Sequence, residues 1–547
     1  MGNALRGLAQ LPAFLAVEHT NGSGMLFSFG ANQDLADSNS VIAWLNASGL
    51  GLPDRDYYTK TDAKSVELRA KYLAHVERML GLLGEDPLVA KAGAAAVLRI
   101  ETELAKASLT RVERRDPHKI DHKMTVAELT AIAPFFDWKA YFTAMGTPEG
   151  VKLNVTEPEF IKEMAHELHE TPLVELKAYL RWHLVRAKSA SLSKAFADAN
   201  FDFYSKTLRG TATQQPRWKR CVQTVDRTMG EALGQIFVEK TFTKDTLART
   251  KAMTSGIEAA MKSEIESLPW MSAETKARAL EKLKAVVNKV GYPEKWRDYT
   301  SLEIRPGDYF GNLQRAAAFE RRRDMSQIGK PVDRTEWGMS PPTVNAYYSP
   351  QMNDINFPAG VLQPPLFDPK MDDAPNYGNT GATIGHELTH GFDDQGRQFD
   401  AKGNLQDWWT KADAAEFQKR ADCIVEQYSS YTVVDDIRIN GKLTLGEDAA
   451  DLGGQLLAFI AWKAATKQLT LKPVDGLNPD QRFFVGMAQW ACGSERPESL
   501  RVHAATDPHS PGEYRINGVV SNMPQFQQAF GCKVGQPMVR EKACKIW

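Results

Sequence analysis

Two histidines four residues apart enclose a glutamate in the segment Thr383–Gly396, which reads TIGHELTHGFDDQG. On a helix, residues four apart lie on the same face, so His386 and His390 can hold one zinc ion between them. Glu387 would lie beside the metal and act as the general base that takes a proton from the attacking water. Because the same pentapeptide can also arise by chance on a helix with two surface histidines, further evidence has to come from the rest of the chain.

A catalytic zinc site needs a third protein ligand and one open position. The best candidate for this ligand is Glu447, in the helical stretch LGEDAADLGGQLLAF. Asp451 follows four residues later on the same face, where it can accept a hydrogen bond from the outer ring nitrogen of a ligating histidine. The alternative is a pair of solvated acids near a helix N-terminus, which the helix dipole also favours. The presence of the histidine pair favours the interpretation of Glu447 as a zinc ligand.

The chain that must position these residues has 547 residues, 43% of them hydrophobic and 25% charged, and a net charge of −1. This balance gives no reason to expect nucleic acid or an anionic membrane as a partner. Apolar runs such as Leu456–Trp462 are far shorter than the roughly 20 residues of a membrane span, so no transmembrane span is expected. The first 20 residues carry one arginine and a broken apolar stretch, which favours a structural helix over a signal peptide.

The first three hundred residues read mainly as helix, because apolar residues recur at intervals of three and four. Ala63–Leu83, Pro87–Arg111 and Val174–Lys194 are examples. Ser272 is a good N-cap for a further helix. An apolar stripe and a Gly-Tyr-Pro stop predict that this helix continues to residue 290; the stripe consists of Leu280, Leu283, Val287 and Val290.

Prolines mark a change after about residue 325. Two β-rich runs follow, Thr343–Tyr348 and Asp354–Phe357, and then a glycine-spaced helix that contains the histidine pair. Two short strands before such a helix are typical of a small zinc-peptidase lobe. Another helix is predicted from Leu445 onwards.

Seven motifs along the chain are similar to one family. HELTHGFDDQG, LGEDAADLGG, VNAYYSP with NFPAGVLQPPLF, and DPHSPGEYR resemble the neprilysin family of zinc metallopeptidases, as do GLPDRDYY, WMSAETKARALEKL and the terminal CKIW. This family includes neprilysin, the endothelin-converting enzymes and bacterial PepO-type peptidases. The resemblance covers nearly the whole chain and implies a zinc-dependent endopeptidase that hydrolyses short oligopeptides and binds one zinc ion per chain.

The resemblance also implies a mainly α fold with a small α+β part, in two lobes around a central cavity. We expect a helical cap lobe at residues 1–320 and a thermolysin-like catalytic zinc lobe at residues 321–547. Peptides are the expected partners, and the oligomeric state is left open. Family members work in the periplasm or outside the cell, although no signal peptide is visible here and a cytoplasmic location stays open.

Individual residues take their expected roles from the family motifs. His386, His390 and Glu447 correspond to the zinc ligands of the family, and Glu387 corresponds to its base. Asp451 matches the acid that supports a ligand histidine, and His509 matches the histidine that stabilises the oxyanion. The remaining expected contacts are Asp507 as the residue that orients His509, and Asn345, Ala346, Arg515, Val361 and Leu366 as substrate-binding residues.

Three positions depart from the family pattern. Asp448 stands where the family usually has an asparagine that helps to bind substrate. Ala382 and Thr383 are small residues in a pocket wall that family members build from bulky apolar groups. We therefore expect a roomier or differently shaped pocket for the residue after the scissile bond.

The five cysteines form no CxxC pair, and their odd number leaves at least one unpaired. The resemblance implies a Cys423–Cys544 disulfide. It also implies that Cys221, Cys492 and Cys532 match cysteines whose partners lie in an N-terminal stretch that family members have before the start of this sequence. Without that stretch, the competing hypothesis is a zinc-containing peptide-binding or regulatory protein with little catalytic turnover.

Overall fold

The structure is a computed structural model that describes residues 5–547. The helix expected near the N-terminus is present at Leu11–Thr20, and residues 1–4 of that prediction lie outside the described residues. The α-helices are, in chain order, α1 (Leu11–Thr20), α2 (Asp56–Thr59), α3 (Ala63–Leu82), α4 (Pro87–Ala107), α5 (Arg111–Arg114), α6 (Val126–Ile132), α7 (Trp138–Ala144), α8 (Pro158–Glu170), α9 (Leu173–Lys188), α10 (Lys194–Asn200), α11 (Arg217–Thr241), α12 (Lys244–Ser267), α13 (Ala273–Lys284), α14 (Tyr309–Met325), α15 (Asp373–Asn376), α16 (Ala382–His390), α17 (Lys411–Ser429), α18 (Gly441–Ala465), α19 (Pro479–Trp490), α20 (Pro497–Thr506), α21 (Gly512–Val520) and α22 (Pro524–Phe530).

The β-strands are short and form three small sheets. They are β1 (Phe27–Gln33), β2 (Val41–Ala47), β3 (Lys123–Met124), β4 (Leu153–Val155), β5 (Val287–Gly291), β6 (Tyr347–Ser349), β7 (Asp354–Pro358), β8 (Thr432–Val434) and β9 (Ile437–Arg438). Their order is β1-β2-β4-β3 in the first sheet, β5-β7-β6 in the second and β8-β9 in the third. The mainly α fold with a small α+β part is confirmed.

Two large apolar cores lie in different parts of the chain. The first core draws almost all of its side chains from between Leu5 and Leu208, and packs α3, α4, α8 and α9 beside the β1-β2-β4-β3 sheet. Hydrophobic burial, worth about 25 cal/mol per Å² of apolar surface, stabilises this core. Buried aromatic residues such as Trp138, Trp182 and Tyr72 fill it.

The second core runs from Met253 to Trp547. It packs α12 and α13 with the β5-β7-β6 sheet and with α16–α19 and α21. Two cores confirm the two-lobe architecture. The division at residue 320 stays a prediction, because α12 and α13 contribute side chains to the second core although they precede that point.

The helix predicted to reach residue 290 ends early. Helix α13 stops at Lys284, and Val287–Gly291 forms strand β5, which pairs in parallel with β7. The prediction of helix here is wrong because valines at helical spacing also suit a strand. Pairing with a partner strand about seventy residues away decides between the two.

The cap lobe contacts the catalytic lobe through a small apolar cluster. Ile42 and Trp44 of strand β2, and Leu35 of the connection between β1 and β2, pack against Phe399, which follows the histidine helix. Leu405 continues this contact with a backbone hydrogen bond to Leu35. Among residues 5–547, none of the helices combines the length and apolar character needed to cross a membrane.

Candidate active site

Helices α16 and α18 lie backbone against backbone, which brings the two ligand-bearing segments together. A Cβ atom at Gly385 would come within 2.6 Å of the Gly454 carbonyl oxygen, and one at Gly454 within 2.4 Å of the His386 nitrogen. Both positions therefore need glycine for this close approach. A π-helical turn at Tyr377–Gly381 leads directly into α16, as such turns often do at functional sites.

Three donor atoms converge between these helices. The Nε2 atoms of His386 and His390 are 3.0 Å apart. They lie 3.2 and 3.5 Å from Oε2 of Glu447, respectively. Glu447 Oε2 is buried and accepts no well-directed hydrogen bond from the described residues. Two imidazoles and one carboxylate that face a common point are the donor set of a catalytic zinc site.

Two outer carboxylates fix which ring nitrogens face that point. Asp451 Oδ1 lies 2.8 Å from Nδ1 of His386, and Asp393 Oδ2 lies 2.7 Å from Nδ1 of His390. Because each Nδ1 lies beside a carboxylate, which favours a proton on that nitrogen, the Nε2 lone pairs are free to bind a cation. The residues thus fit a zinc ion. Sequence analysis missed Asp393, although its position three residues after His390 in GFDDQG was a usable signal.

Glu387 lies beside the two histidines, with one oxygen within 4.8 Å of their ligand atoms. Its side chain is buried, and burial raises the pKa of Glu387, although the neighbouring imidazoles oppose the shift. By contrast, burial would also raise the pKa of Glu447, but His390 and His386 outweigh it and lower the pKa well below the usual value. Of the two carboxylates, burial thus makes Glu387 the more basic, and the histidines keep Glu447 anionic.

These groups face a cavity of about 660 Å³. Its wall includes the carboxylate of Glu387 and the segment with Asn345 and Ala346, which immediately precedes edge strand β6. The four residues expected in the pocket next to the scissile bond also line it, namely Val361, Leu366, Ala382 and Thr383.

His509 reaches the same site from the loop between α20 and α21. Its Nε2 lies 3.2 Å from Glu447 Oε2, and its Nδ1 lies 2.7 Å from Asp507 Oδ1. Asp507 also accepts the backbone N–H of His509, and His503 Nε2 lies 2.8 Å from the His509 carbonyl oxygen. Burial alone would lower the pKa of His509, but the hydrogen bond to Asp507 and the nearby carboxylate of Glu447 raise it to about 9. The ring is therefore cationic at neutral pH.

Arg515 lines the cavity and is clamped by a carboxylate. Its Nε and Nη2 each donate to Asp451 over 2.7 Å. Although burial opposes ionisation, this guanidinium lowers the pKa of Asp451 to about 2. The indole of Trp490 lies 4.1 Å from the guanidinium carbon and also lines the cavity. Sequence analysis missed Trp490, for which no motif gave a signal.

Asp448, the departure from the family asparagine, is fully buried and lies outside the cavity wall. Burial raises the pKa of Asp448 well above the usual value, although Thr444 and Ser510 oppose the shift. Burial therefore favours the neutral acid, which has nearly the shape of the amide of an asparagine.

The cysteines divide into one pair and three free thiols. Cys423 and Cys544 form a disulfide, which confirms the predicted bond. Cys221 and Cys492 are exposed, and Cys532 is partly buried.

Comparisons with known proteins agree with this geometry. Two models of peptidase family M13 match the chain, one over residues 6–293 and the other over residues 345–546. Endothelin-converting enzyme 1 of Rattus norvegicus is 36% identical over 542 residues, a match that covers 95% of this chain and 70% of that enzyme.

Two solved structures share the fold. The zinc metalloprotease ZMP1 of Mycobacterium tuberculosis in complex with an inhibitor matches with a TM-score of 0.96 and 37% identity, over 100% of this chain and 84% of that chain. PepO of Lactobacillus rhamnosis matches with a TM-score of 0.90 and 27% identity, over 99% and 84% of the two chains. The chain is a zinc metalloendopeptidase and belongs to peptidase family M13.

Proposed function

We propose that this protein hydrolyses internal bonds of short oligopeptides inside the 660 Å³ cavity, with Glu387 as general base. One observation carries the proposal: Oε2 of Glu447 and the Nε2 atoms of His386 and His390 face one point beside Glu387. When bound there, zinc acts as a Lewis acid that polarises the scissile carbonyl and the attacking water.

Glu387 has the position and the basicity for two proton transfers. Its buried carboxylate takes a proton from the attacking water, and burial raises its pKa towards the range in which such a base is efficient. The same carboxyl group then delivers this proton to the nitrogen of the leaving amine. Both steps use one residue on the floor of the cavity, so the substrate does not have to move between them.

His509 and Arg515 supply positive charge on the other side of the cavity. The raised pKa of His509, about 9, keeps its Nε2–H available to stabilise the oxyanion that forms when water attacks. Arg515 has two guanidinium nitrogens committed to Asp451, and its Nη1 is left for a substrate carbonyl. Such donors are typically worth about 3–4 kcal/mol in the transition state.

The cavity wall determines how a peptide lies. An extended peptide can add to the edge of strand β6 through main-chain hydrogen bonds with Asn345 and Ala346. The side chain after the scissile bond then enters the pocket of Val361 and Leu366, which favours apolar residues. A cavity of this volume admits a short peptide segment and excludes folded proteins.

A compartment outside the cytoplasm is part of the proposal. The Cys423–Cys544 disulfide supports it, because disulfides persist in oxidising compartments and are rare in the cytosol.

The test is cleavage of a quenched fluorescent oligopeptide by the zinc-loaded protein. We expect cleavage that stops with a chelator and returns with zinc, and no cleavage of a folded protein of similar sequence content. Bound zinc without chelator-sensitive cleavage would instead support the hypothesis of a peptide-binding or regulatory protein. Mass analysis of the products would show whether the cut bonds are internal.

A further inference from the structure

A cationic side chain of the cap lobe contacts the segment beside the zinc site. Arg115 follows helix α5, and its Nη2 donates to both carboxylate oxygens of Asp394 over 2.9 Å. Asp394 follows Asp393 in the chain, and Asp393 is hydrogen-bonded to the ligand His390. The two residues of this ion pair are 279 positions apart in the chain and belong to different lobes.

The segment before Arg115 is fixed to the cap lobe on both sides. Arg111 pairs with the buried Asp54 over 2.9 Å, and Arg114 pairs with the buried Glu157 over 2.8 Å. A capping box between Thr110 and the residue three positions later closes the start of α5. The position of the Arg115 side chain is therefore set by the cap lobe, while the group that it contacts belongs to the catalytic lobe.

The contact lies directly under the two ligand-bearing segments. A Cβ atom at Gly446 would come within 2.6 Å of Arg115 Nη2, 2.8 Å of Asp394 Oδ1 and 3.0 Å of Asp393 Oδ2. Gly446 immediately precedes the ligand Glu447. One guanidinium group thus packs against the turn that carries Asp393 and against the start of the segment that carries Glu447.

The charges around this contact connect it to the ligand His390. Asp393 and Asp394 are adjacent carboxylates, and Asp393 must accept the Nδ1–H of His390 while its Oδ1 accepts two backbone N–H groups, those of Gln395 and Gly396. An unpaired anion at Asp394 would repel Asp393 and disturb this turn. Arg115 neutralises Asp394 and leaves Asp393 to hold His390.

We propose that Arg115 is a positioning residue through which the cap lobe sets the geometry of the zinc ligands His390 and Glu447. The inference rests on the zinc peptidase function proposed above. It goes further, because it makes full zinc affinity and turnover depend on the contact between the lobes. An Arg115–Asp394 pair that only tethers the lobes would affect their association and leave the zinc site unchanged.

The experiment measures zinc affinity by chelator competition, and kcat and KM for one fluorescent peptide, on the full chain. Arg115→Ala is expected to weaken zinc binding and to lower kcat by about 10-fold, the lower end of the range for residues that support a ligand. KM is expected to change less than kcat. Asp394→Asn removes the anion that would repel Asp393, so the double variant is expected to regain part of the zinc affinity that Arg115→Ala loses.

Lys64→Ala is the matched control. Lys64 of the cap lobe pairs with Asp435 of the catalytic lobe over 2.8 Å, and neither residue lines the cavity. This variant also loses one ion pair between the lobes and is expected to keep zinc affinity and kcat. Equal losses in Lys64→Ala and Arg115→Ala would overturn the proposal, as would Arg115→Ala values within twofold of the wild type.

Two further variants test the proposal in case Arg115→Ala fails to fold. Gly446→Ala keeps every charged residue and crowds Arg115, Asp394 and Asp393, and Arg115→Lys keeps the charge but loses the planar guanidinium. Both are expected to keep the melting temperature and lose zinc affinity; unchanged affinity in both would overturn the proposal. If the wild type binds zinc but does not cleave peptide, the proposed function is refuted. The role of Arg115 is still tested in that case, because the zinc-affinity measurement does not need activity.

Discussion

The carboxylate of Asp451 lies 2.8 Å from Nδ1 of the ligand His386. It also holds both donors of the Arg515 fork, so one acid joins the zinc site to the substrate-binding arginine. We expect Asp451→Asn to weaken zinc binding about 10–100-fold, as measured by chelator competition, because the amide loses the charge that fixes the imidazole. KM should rise as well, since Arg515 loses its anchor.

Asp448→Asn is the matched control for this prediction. Asp448 lies on the same helix three residues earlier and is buried, and burial raises its pKa, which favours the uncharged form that an amide resembles. We expect zinc affinity and kcat to stay within about twofold of the wild type, well inside the range of outer-carboxylate effects. Equal losses in the two variants would show that any change on this helix face disturbs the ligand, and not the Asp451–His386 contact in particular.

Glu387→Gln separates metal binding from proton transfer. Glutamine has nearly the same shape as glutamate but cannot accept the proton of the attacking water. We expect zinc content to be retained and kcat to fall about 10²–10⁴-fold, the usual contribution of a general base. Glu447→Ala serves as the comparison and should lose both zinc and activity. Substantial activity in Glu387→Gln would show that another group is the base.

The core of the site was predictable because its spacing is local. His386 and His390 are four residues apart on α16, and Glu447 and Asp451 are four apart on α18, so helix periodicity alone places each pair on one face. The same periodicity predicted long helices well: the helix expected at Ala63–Leu83 is observed at Ala63–Leu82.

The parts that sequence analysis missed depend on partners far away in the chain. Strand β5 was interpreted as helix because its valines fit both periods, and only pairing with β7 settles the choice. The Arg115–Asp394 contact joins positions 279 residues apart, and nothing near either residue points to the other. Trp490 lies over Arg515 only after α19 and α21 have packed on the second core.

The disulfide should account for two of the five cysteines. Titration of the denatured, unreduced protein is expected to find three free thiols, those of Cys221, Cys492 and Cys532, and five after reduction. Replacing both Cys423 and Cys544 with serine should lower the free energy of unfolding by about 2–5 kcal/mol, because the bond closes a long loop in the unfolded chain. Five free thiols before reduction would contradict both the bond and the proposed oxidising compartment.

Lys282 gives the catalytic lobe a pH-dependent stability. Its Nζ is buried and donates to the carbonyl oxygens of Gly396 and Phe399 over 2.6 and 2.7 Å, in the segment that follows the zinc helix. Burial lowers the pKa of Lys282 to about 7 from 10.5, although Asp393 and Asp400 oppose the shift. Between these two values the unfolded chain holds a proton that the folded protein has released.

Stability contributed by this group therefore rises with pH from about 7 to 10.5, and below pH 7 the full cost of burying the charge is present. Relative to Lys282→Met, the wild type should gain up to about 1.4 kcal/mol of unfolding free energy per pH unit in that window.

Urea titrations of the chelator-treated proteins at pH 7, 8 and 9 measure the difference. Loss of the two hydrogen bonds shifts Lys282→Met by a constant, so the slope is the test. Lys284→Met, an exposed lysine of the same helix, controls for the loss of a lysine. A difference that stays flat across the window would mean that Lys282 keeps its proton and that its two carbonyl partners, together with the rings of Tyr348 and Phe392 about 6 Å away, stabilise the buried cation.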